Sequence, residues 1–284
     1  MLEKLINRVT IRNETVRQGL AETLGTFLMM TFGMGSVAQI VLGEFNFGEY
    51  LSVNLGFGFG VMLGIHAAGG ISGAHLNASI TFANCVVGNL SWRKLPAYVI
   101  GQFIGSFAAS AVIYLLYYEA IQNFASNHLT TSGPLATAQI FATYPAAYVS
   151  LLNGFLQELI ASSMLMIGIL AIHDTKNARA QPGTNALITG LLVVVIGMSM
   201  GMNTGYAINP SRDLPPRIFT ALAGWGLEVF KARNCWWWVP IVAPTLGCLV
   251  GTFVYNIMID FHNRPPPDPE PPKQDPETVI TSSM

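Results

Sequence analysis

A polar segment of eight residues occurs twice in this chain, and the repetition limits the possible folds more than any other feature. The first copy, residues 72–79, reads Ser-Gly-Ala-His-Leu-Asn-Ala-Ser, and the second, residues 204–211, reads Thr-Gly-Tyr-Ala-Ile-Asn-Pro-Ser. The hydroxyl, Gly, aliphatic, Asn and Ser positions coincide, with Asn77 and Asn209 separated by 132 residues. Self-similarity at a fixed spacing indicates an internal structural repeat, here with one copy in each half of the chain.

Each copy predicts a loop followed by a short helix. Asn is a preferred N-cap because its side-chain oxygen accepts a hydrogen bond from an unpaired backbone N–H, so Asn77 and Asn209 mark the helix starts. Pro210 follows at the first helical position, where the missing N–H of proline is harmless. Either copy alone would also fit an ordinary capped helix, but two copies in matching places between apolar runs argue against that interpretation.

The amino-acid composition is typical of a membrane protein. Hydrophobic residues make up 51% of the 284 residues and charged residues 10%, whereas soluble domains average about 25% charged residues. A transmembrane helix needs about 20 mostly apolar residues. Such runs occupy about residues 19–42, 51–68, 95–118, 149–172, 185–202 and 236–259. We predict an all-α membrane protein with six transmembrane helices and two re-entrant half-helices.

The chain divides into three parts. Residues 1–17 alternate basic and apolar side chains and predict a cytoplasmic surface helix. Residues 18–260 form the six-span domain, with repeat one over about 18–119 and repeat two over about 149–260. Residues 261–284 are rich in Pro and charge, which predicts a disordered cytoplasmic tail.

The basic residues predict the orientation. The two terminal segments, the turn at 93–94 and the loop at 176–179 hold ten of the fourteen Lys and Arg residues, whereas the connections 43–50 and 119–148 hold none. Because basic loops stay in the cytoplasm, both termini are predicted to be cytoplasmic. The remaining four, Arg212, Arg217, Lys231 and Arg233, lie in a segment predicted to be external and oppose this count.

Three spans per repeat is an odd number, so the two repeats should have opposite orientations and the half-helices should enter from opposite faces. Broken helices that meet near the midplane of inverted repeats indicate a membrane pathway, because irregular backbone at that depth is tolerated where it lines a polar cavity. The amides of Asn77 and Asn209 would be donors at its centre. The predicted ladder of acceptor carbonyls comprises Gly73, Ala74, His75, Gly205, Tyr206 and Ala207.

The two segments resemble the Asn-Pro-Ala boxes of the major intrinsic protein (aquaporin) family. The run Asn-Pro-Ser-Arg-Asp-Leu-Pro-Pro-Arg at 209–217, with Asp213 as the marker, is similar to the glycerol-facilitator branch, the aquaglyceroporins. The resemblance extends over about residues 17–260 and includes Gly-Gln-Phe-Ile-Gly at 101–105 and Trp-Trp-Trp-Val-Pro at 236–240.

Both boxes depart from the family pattern. The first reads Asn77-Ala78-Ser79 and the second reads Asn209-Pro210-Ser211. Loss of the first Pro removes a pre-organising residue, so we expect a functional pore with a less rigid start of the first half-helix.

The resemblance implies a passive channel for glycerol and water, with urea and other small neutral solutes as further candidates. Two half-helix N-termini and Arg212 would place positive charge at the pore and exclude ions and protons. The resemblance also implies a homotetramer in a lipid bilayer, which we assign to the plasma membrane. We expect no enzymatic activity, cofactor, metal or nucleic-acid partner, since no phosphate loop, metal cluster or catalytic triad is visible in the sequence.

Transferred by spacing from the two Asn residues, the family's selectivity filter falls on Phe57, Gly197, Tyr206 and Arg212. Phe57 and Tyr206 would form an apolar wall for the carbon chain, and Arg212 would offer a planar set of N–H donors to hydroxyls. Gly197 would leave room where a His would narrow a water pore. Core packing, helix packing or an interface position would also explain the first three residues, but an intramembrane Arg is costly and is functional by default.

Two carboxylates, Glu22 and Glu158, lie in the first span of each repeat. The resemblance makes them buried acceptors for the backbone N–H groups of the pore loops. Paired membrane carboxylates also occur in proton relays, so a proton-coupled solute transporter is an alternative, and a closed structural homologue at cell junctions is another. Flux that depends on a proton gradient would identify the first, and absence of solute flux the second.

Small residues recur at every fourth position in the third and sixth spans. They are Gly101, Gly105, Ala109, Ala243, Gly247 and Gly251. This spacing predicts close helix–helix contacts.

Overall fold

The computed structural model describes residue 6 and residues 10–263. Residues 1–5 and 7–9 of the predicted N-terminal surface helix, and the predicted tail from residue 264 onward, lie outside the described residues. Residues 10–13 are not helical, and residues 14–17 belong to the first long helix. The first part of that tail, residues 261–263, completes a 3₁₀ turn, Asp260–Asn263.

Every regular element in the described ranges is helical. In chain order the α-helices are α1 (Glu14–Leu42), α2 (Tyr50–Ser72), α3 (Ala78–Val86), α4 (Leu95–Leu116), α5 (Tyr118–Phe124), α6 (Leu151–His173), α7 (Asn185–Met200), α8 (Pro210–Thr220), α9 (Glu228–Cys235) and α10 (Val239–Met258). Short 3₁₀ turns occupy Ala138–Ile140 and Trp236–Trp238, and a π-turn occupies Ala221–Trp225.

Five helical segments, those that contain α1, α2, α4, α6 and α10, are long and apolar enough to cross a membrane. The fifth predicted span is α7, which is apolar but has only 16 residues. The sequence predicted that this helix continues to residue 202, but it ends at Met200, because the chain turns at Gly201 into the second pore loop. The architecture is consistent with six spans and two half-helices in an inverted repeat.

Close contacts between the long helices depend on glycine, as the small-residue spacing predicted. A Cβ atom added at Gly101 or Gly105 of α4 would lie 2.2 Å from a backbone carbonyl oxygen of α1. At Gly247 and Gly251 of α10 it would lie 2.3 and 2.4 Å from carbonyl oxygens of α6. The same contact therefore joins the first and last long helices of each repeat.

The two half-helices, α3 and α8, exchange partners between the repeats. Helix α8 of repeat two packs mainly on α4 of repeat one, and α3 of repeat one packs mainly on α10 of repeat two. Neither repeat therefore completes the packing of its own half-helix.

The connection between α5 and α6 is more than the polar loop that the sequence predicted. Its side chains at Ala138, Ile140, Phe141 and Thr143 are buried. The turn Ala138–Ile140 packs on α1, and the Phe141 ring lies against Phe219 at the end of α8 and Trp225 in the turn that follows it. This segment has no periodic pattern, so its burial could not be seen from the sequence.

Candidate functional site

The N-terminal ends of α3 and α8 meet inside the helix bundle. Asn77 and Asn209 each cap their helix, because the side-chain oxygen accepts a hydrogen bond from the N–H two residues ahead, at 2.9 and 2.8 Å. The amides also bond across the repeats. Asn77 Nδ2 donates to the Ile208 carbonyl at 2.8 Å, and Asn209 Nδ2 donates to the Leu76 carbonyl at 2.7 Å. Each amide group retains one further N–H as a donor.

Glu22 holds the first pore loop. Its carboxylate accepts hydrogen bonds from the Ser72 hydroxyl at 2.6 Å, the His75 N–H at 2.9 Å, the Leu76 N–H at 2.8 Å and the Gln102 amide at 2.8 Å. The side chain is fully buried. Four donors around one buried carboxylate compensate its loss of water, since charged groups inside a protein need hydrogen-bonding partners.

Glu158 holds the second pore loop in the same way. Its carboxylate accepts from the Thr204 hydroxyl at 2.6 Å, the Ala207 N–H at 2.9 Å and the Ile208 N–H at 2.8 Å. It is also fully buried. Neither Glu22 nor Glu158 is among the residues that line the cavity between the repeats.

The two pore loops have matching backbone conformations. Left-handed φ values are 82°, 51° and 51° at Gly73, Ala74 and Leu76, and 81°, 39° and 44° at Gly205, Tyr206 and Ile208. Non-glycine residues in this region each cost about 1–3 kcal/mol, and the carboxylate bonds hold them there. The six carbonyls of the predicted ladder accept no hydrogen bond from any described residue. They are therefore available as acceptors for another molecule.

A cavity of about 280 Å³ runs between the repeats. It reaches from Phe57, Tyr206 and Arg212 to Asn84 in α3 and His173 at the end of α6. Its lining includes the pore-loop residues up to the two Asn side chains. It also includes aliphatic and Met side chains of the long helices, namely Met29, Val61, Ile65, Leu165, Met166, Ile169, Leu170 and Val193.

The structure brings the four predicted filter residues together. The Phe57 and Tyr206 rings meet edge to face, with centroids 6.2 Å apart at 73°, and Arg212 Cζ lies 4.7 Å from the centroid of the Phe57 ring. These three residues line the cavity. Gly197 does not, and it lies behind Tyr206, where an added Cβ would be 2.7 Å from Tyr206 Cζ and 2.3 Å from Asn54 Oδ1.

Arg212 and its neighbour Asp213 have different surroundings. Arg212 donates one hydrogen bond to the Phe141 carbonyl at 2.9 Å, and its other N–H groups have no partner among the described residues. Asp213 is fully buried away from the cavity, paired with Arg217 at 2.8 Å. It also accepts from the Thr143 N–H at 2.7 Å and the Thr143 hydroxyl at 2.5 Å. The branch marker therefore anchors the loop that fixes Arg212.

Four of the predicted box residues, Ala78, Ser79, Pro210 and Ser211, do not line the cavity. They form the first turns of α3 and α8, where the two helices face each other. Of the predicted ladder residues, Gly205 likewise lies outside the lining, whereas the other five belong to it.

Sequence reasoning missed several residues of this site. The connection before α6 supplies the Phe141 carbonyl, Thr143 and Tyr144, whose ring centroid lies 4.5 Å from Arg217 Cζ. Burial raises the pKa of Tyr144 to about 12, so its hydroxyl stays neutral beside the ion pair. Gln102 was also missed, although a polar side chain between Gly101 and Gly105 of an apolar span was a visible signal.

Two repeats whose half-helices meet beside an internal cavity, with residues of both pore loops in its lining, have the arrangement of a membrane pore protein. A family model described as "Major intrinsic protein" matches residues 10–255. The chain therefore belongs to the major intrinsic protein family, which is a family of channels.

Two relatives and one solved structure support this family membership. The chain is 56% identical to Aquaporin-7 of Mus musculus over 260 residues, which cover 92% of this chain and 85% of that protein. It is 45% identical to Aquaporin-10 of Homo sapiens over 94% of this chain and 88% of that protein. The X-ray structure of the aquaglyceroporin from Plasmodium falciparum superposes with a TM-score of 0.77 at 30% identity, covering 87% of this chain and 98% of that chain.

Proposed function

We propose that this protein conducts glycerol and water passively through the membrane, down their gradients. The observation that carries the proposal is the mixed lining of the cavity, which combines pore-loop residues with aliphatic and Met side chains of the long helices. Glycerol matches such a lining, because its hydroxyls can donate to the pore-loop carbonyls while its carbon chain contacts the apolar side chains. The aquaglyceroporin likeness supports the same substrate class.

We assign selection to Phe57, Tyr206 and Arg212, with Gly197 providing the space behind Tyr206. The edge-to-face rings supply an apolar surface, and the unpaired N–H groups of Arg212 supply donors for two neighbouring hydroxyls. Asn77 and Asn209 provide further donors at the pore centre. The Arg212 charge and the two helix N-termini oppose cations at this level.

The proton-coupled transporter is not favoured. Glu22 accepts four hydrogen bonds and Glu158 accepts three, and neither lines the cavity. Carboxylates that are fully used as acceptors for loop N–H groups are poorly placed to exchange protons with a solute. The closed structural homologue is not favoured either, since the relatives and the solved structure that the chain resembles are aquaporins and an aquaglyceroporin.

We further propose a homotetramer in the plasma membrane with cytoplasmic termini, and we include urea among the solutes. The positive-inside count supports this orientation more strongly once the burial of the basic side chains is taken into account. Arg212 and Arg217 are buried in the protein rather than exposed in an external loop. Only Lys231 and Arg233 then remain in the external segment against the count.

The test is stopped-flow light scattering on proteoliposomes that contain the purified full-length protein, with empty liposomes as the control. We expect rapid glycerol and water entry that a proton ionophore leaves unchanged. Glycerol entry that disappears with the ionophore would instead support proton coupling. Folded protein that conducts neither solute would support the closed homologue.

A further inference from the structure

Two departures from the family box contact each other across the repeats. Ala78 replaces the Pro of the first box, and Ser211 replaces the Ala of the second. In the structure the Ala78 N–H donates a hydrogen bond to Ser211 Oγ at 3.2 Å. Neither group exists in an Asn-Pro-Ala box, because proline has no N–H and alanine has no hydroxyl.

The hydrogen-bond chain continues from Ser211 to the first pore loop. The Ser211 hydroxyl donates to Gln102 Oε1 at 2.9 Å, and Gln102 Nε2 donates to Glu22 Oε2 at 2.8 Å. All three side chains are fully buried. Since Glu22 binds the N–H groups of the first pore loop, the second box is connected through three side chains to the loop of the opposite repeat.

The symmetry-related position shows why this bond forms on one side only. Pro210 corresponds to Ala78, and Ser79 corresponds to Ser211. Pro210 has no N–H to give, so the Ser79 hydroxyl pairs with the Thr245 hydroxyl of α10 at 3.1 Å instead. The loss of Pro at one box is therefore what makes a direct bond between the two half-helices available.

We infer that Ala78 and Ser211 are a matched pair of positioning residues that fixes the two half-helix starts against each other. The inference deepens the proposed channel function and rests on it, because the pair positions the donors and carbonyls at the pore centre. The hydrogen bond offsets the pre-organisation lost with the first Pro. Ala78 supplies the N–H donor and Ser211 supplies the hydroxyl acceptor, so each departure from the family box needs the other to form the bond.

The geometry makes Pro at position 78 incompatible with Ser211. A proline Cδ would lie about 1.5 Å from the nitrogen, roughly along the present N–H direction, and hence about 2 Å from Ser211 Oγ. That separation is far inside van der Waals contact. With Ala at position 211 the oxygen is absent and the conflict disappears, so the two substitutions should be strongly non-additive.

The experiment compares wild type with A78P, S211A, A78P/S211A and the matched control A78P/S79A. Glycerol permeability is measured in proteoliposomes per folded protein, so a change in folding yield alone does not move it. Thermal unfolding in detergent is measured in parallel. We expect A78P to lose about tenfold or more in permeability, and A78P/S211A to return to within about threefold of wild type. A78P/S79A should stay as low as A78P, because the removed hydroxyl does not contact residue 78.

Wild-type permeability in A78P, or a double variant no better than A78P, would overturn the inference. If A78P does not fold, the melting temperature and folded yield of A78P/S211A test the inference instead. Recovery of both toward wild-type values supports the pairing of residues 78 and 211, and no recovery refutes it. A wild-type protein without glycerol flux would refute the proposed function, while the recovery of thermal stability would still test the pair.

Discussion

Replacing Gly197 by Ala tests the idea that an absent side chain sets the width of the filter. The new Cβ would lie 2.7 Å from Tyr206 Cζ and 2.3 Å from Asn54 Oδ1. Ordinary contacts begin near 3.4 Å, so the Tyr206 ring must move by roughly 0.7 Å or more. Tyr206 lines the cavity with Phe57 and Arg212, whereas Gly197 does not, so the ring pushed away from residue 197 would move toward the cavity.

Overpacking of this kind costs about 1–3 kcal/mol. If that cost falls on the passage of a solute that must push the ring back, glycerol permeability drops by about five- to 150-fold, at about 1.4 kcal/mol per tenfold change. Water is smaller than glycerol, so the displaced ring should obstruct water less. We expect water permeability to fall by about twofold or less, which is a small fraction of the 1.4 kcal/mol that corresponds to about a tenfold change. The assay is stopped-flow light scattering with separate glycerol and water gradients.

Gly70→Ala is the matched control, because Gly70 is also helical and no atom lies within 4 Å of its added Cβ. The double variant G197A/Y206A should conduct glycerol faster than G197A, since the displaced ring is gone and only the contact with Asn54 Oδ1 remains. Equal loss of glycerol and water in G197A, or no loss of either, would refute the assignment of Gly197 to the filter.

Three further predictions concern the supports of the pore. Glu158→Gln places an amide donor among three N–H and O–H donors, and should cost about 2 kcal/mol or more in stability and lower glycerol permeability. Asp213→Asn leaves Arg217 buried without its counter-charge, and should destabilise by about 3–5 kcal/mol, seen as a lower melting temperature. Gly105→Ala puts a Cβ 2.2 Å from the Thr23 carbonyl oxygen, and should separate α1 from α4 at a cost of about 1–3 kcal/mol, measured by thermal unfolding.

Two of these have a control within the chain, Asp213→Asn and Gly105→Ala. Lys94→Gln breaks the exposed pair with Glu14 and should change the melting temperature little, because exposed ion pairs contribute about 0–1 kcal/mol. Gly70→Ala again controls for the glycine change. Wild-type glycerol permeability in Glu158→Gln would count against loop support, and unchanged melting of Asp213→Asn or Gly105→Ala would contradict the packing argument.

The sequence could predict the features that follow from repetition and short-range chemistry. Asn77 and Asn209 identified the half-helix starts, because N-capping depends on a residue and its next few neighbours. The filter positions were implied by the family resemblance and were transferred by their spacing from these two Asn residues. The small-residue spacing of α4 and α10 likewise predicted where backbones approach closely, because a helix repeats on one face every three to four residues.

The sequence could not predict contacts made by irregular segments over long separations. Thr143 bonds to Asp213 and Phe141 bonds to Arg212 across about seventy residues, and nothing in the polar connection marks these two positions. The bond from Ala78 to Ser211 depends on the distance between two helix starts, which no local pattern specifies. The predicted lower rigidity of the first half-helix start therefore did not take this bond into account.

The exchange of half-helix partners has a consequence for biogenesis. Helix α3 ends at Val86, and α10, on which it mainly packs, begins at Val239. At about 5–20 residues per second, the ribosome needs roughly 8 to 30 s to synthesise the intervening chain. During that interval the first pore loop has its carboxylate in α1 but lacks its principal packing surface. The nascent first half must therefore wait in the membrane as an incomplete bundle, and substitutions in α10 would be expected to damage a pore loop that was made long before them.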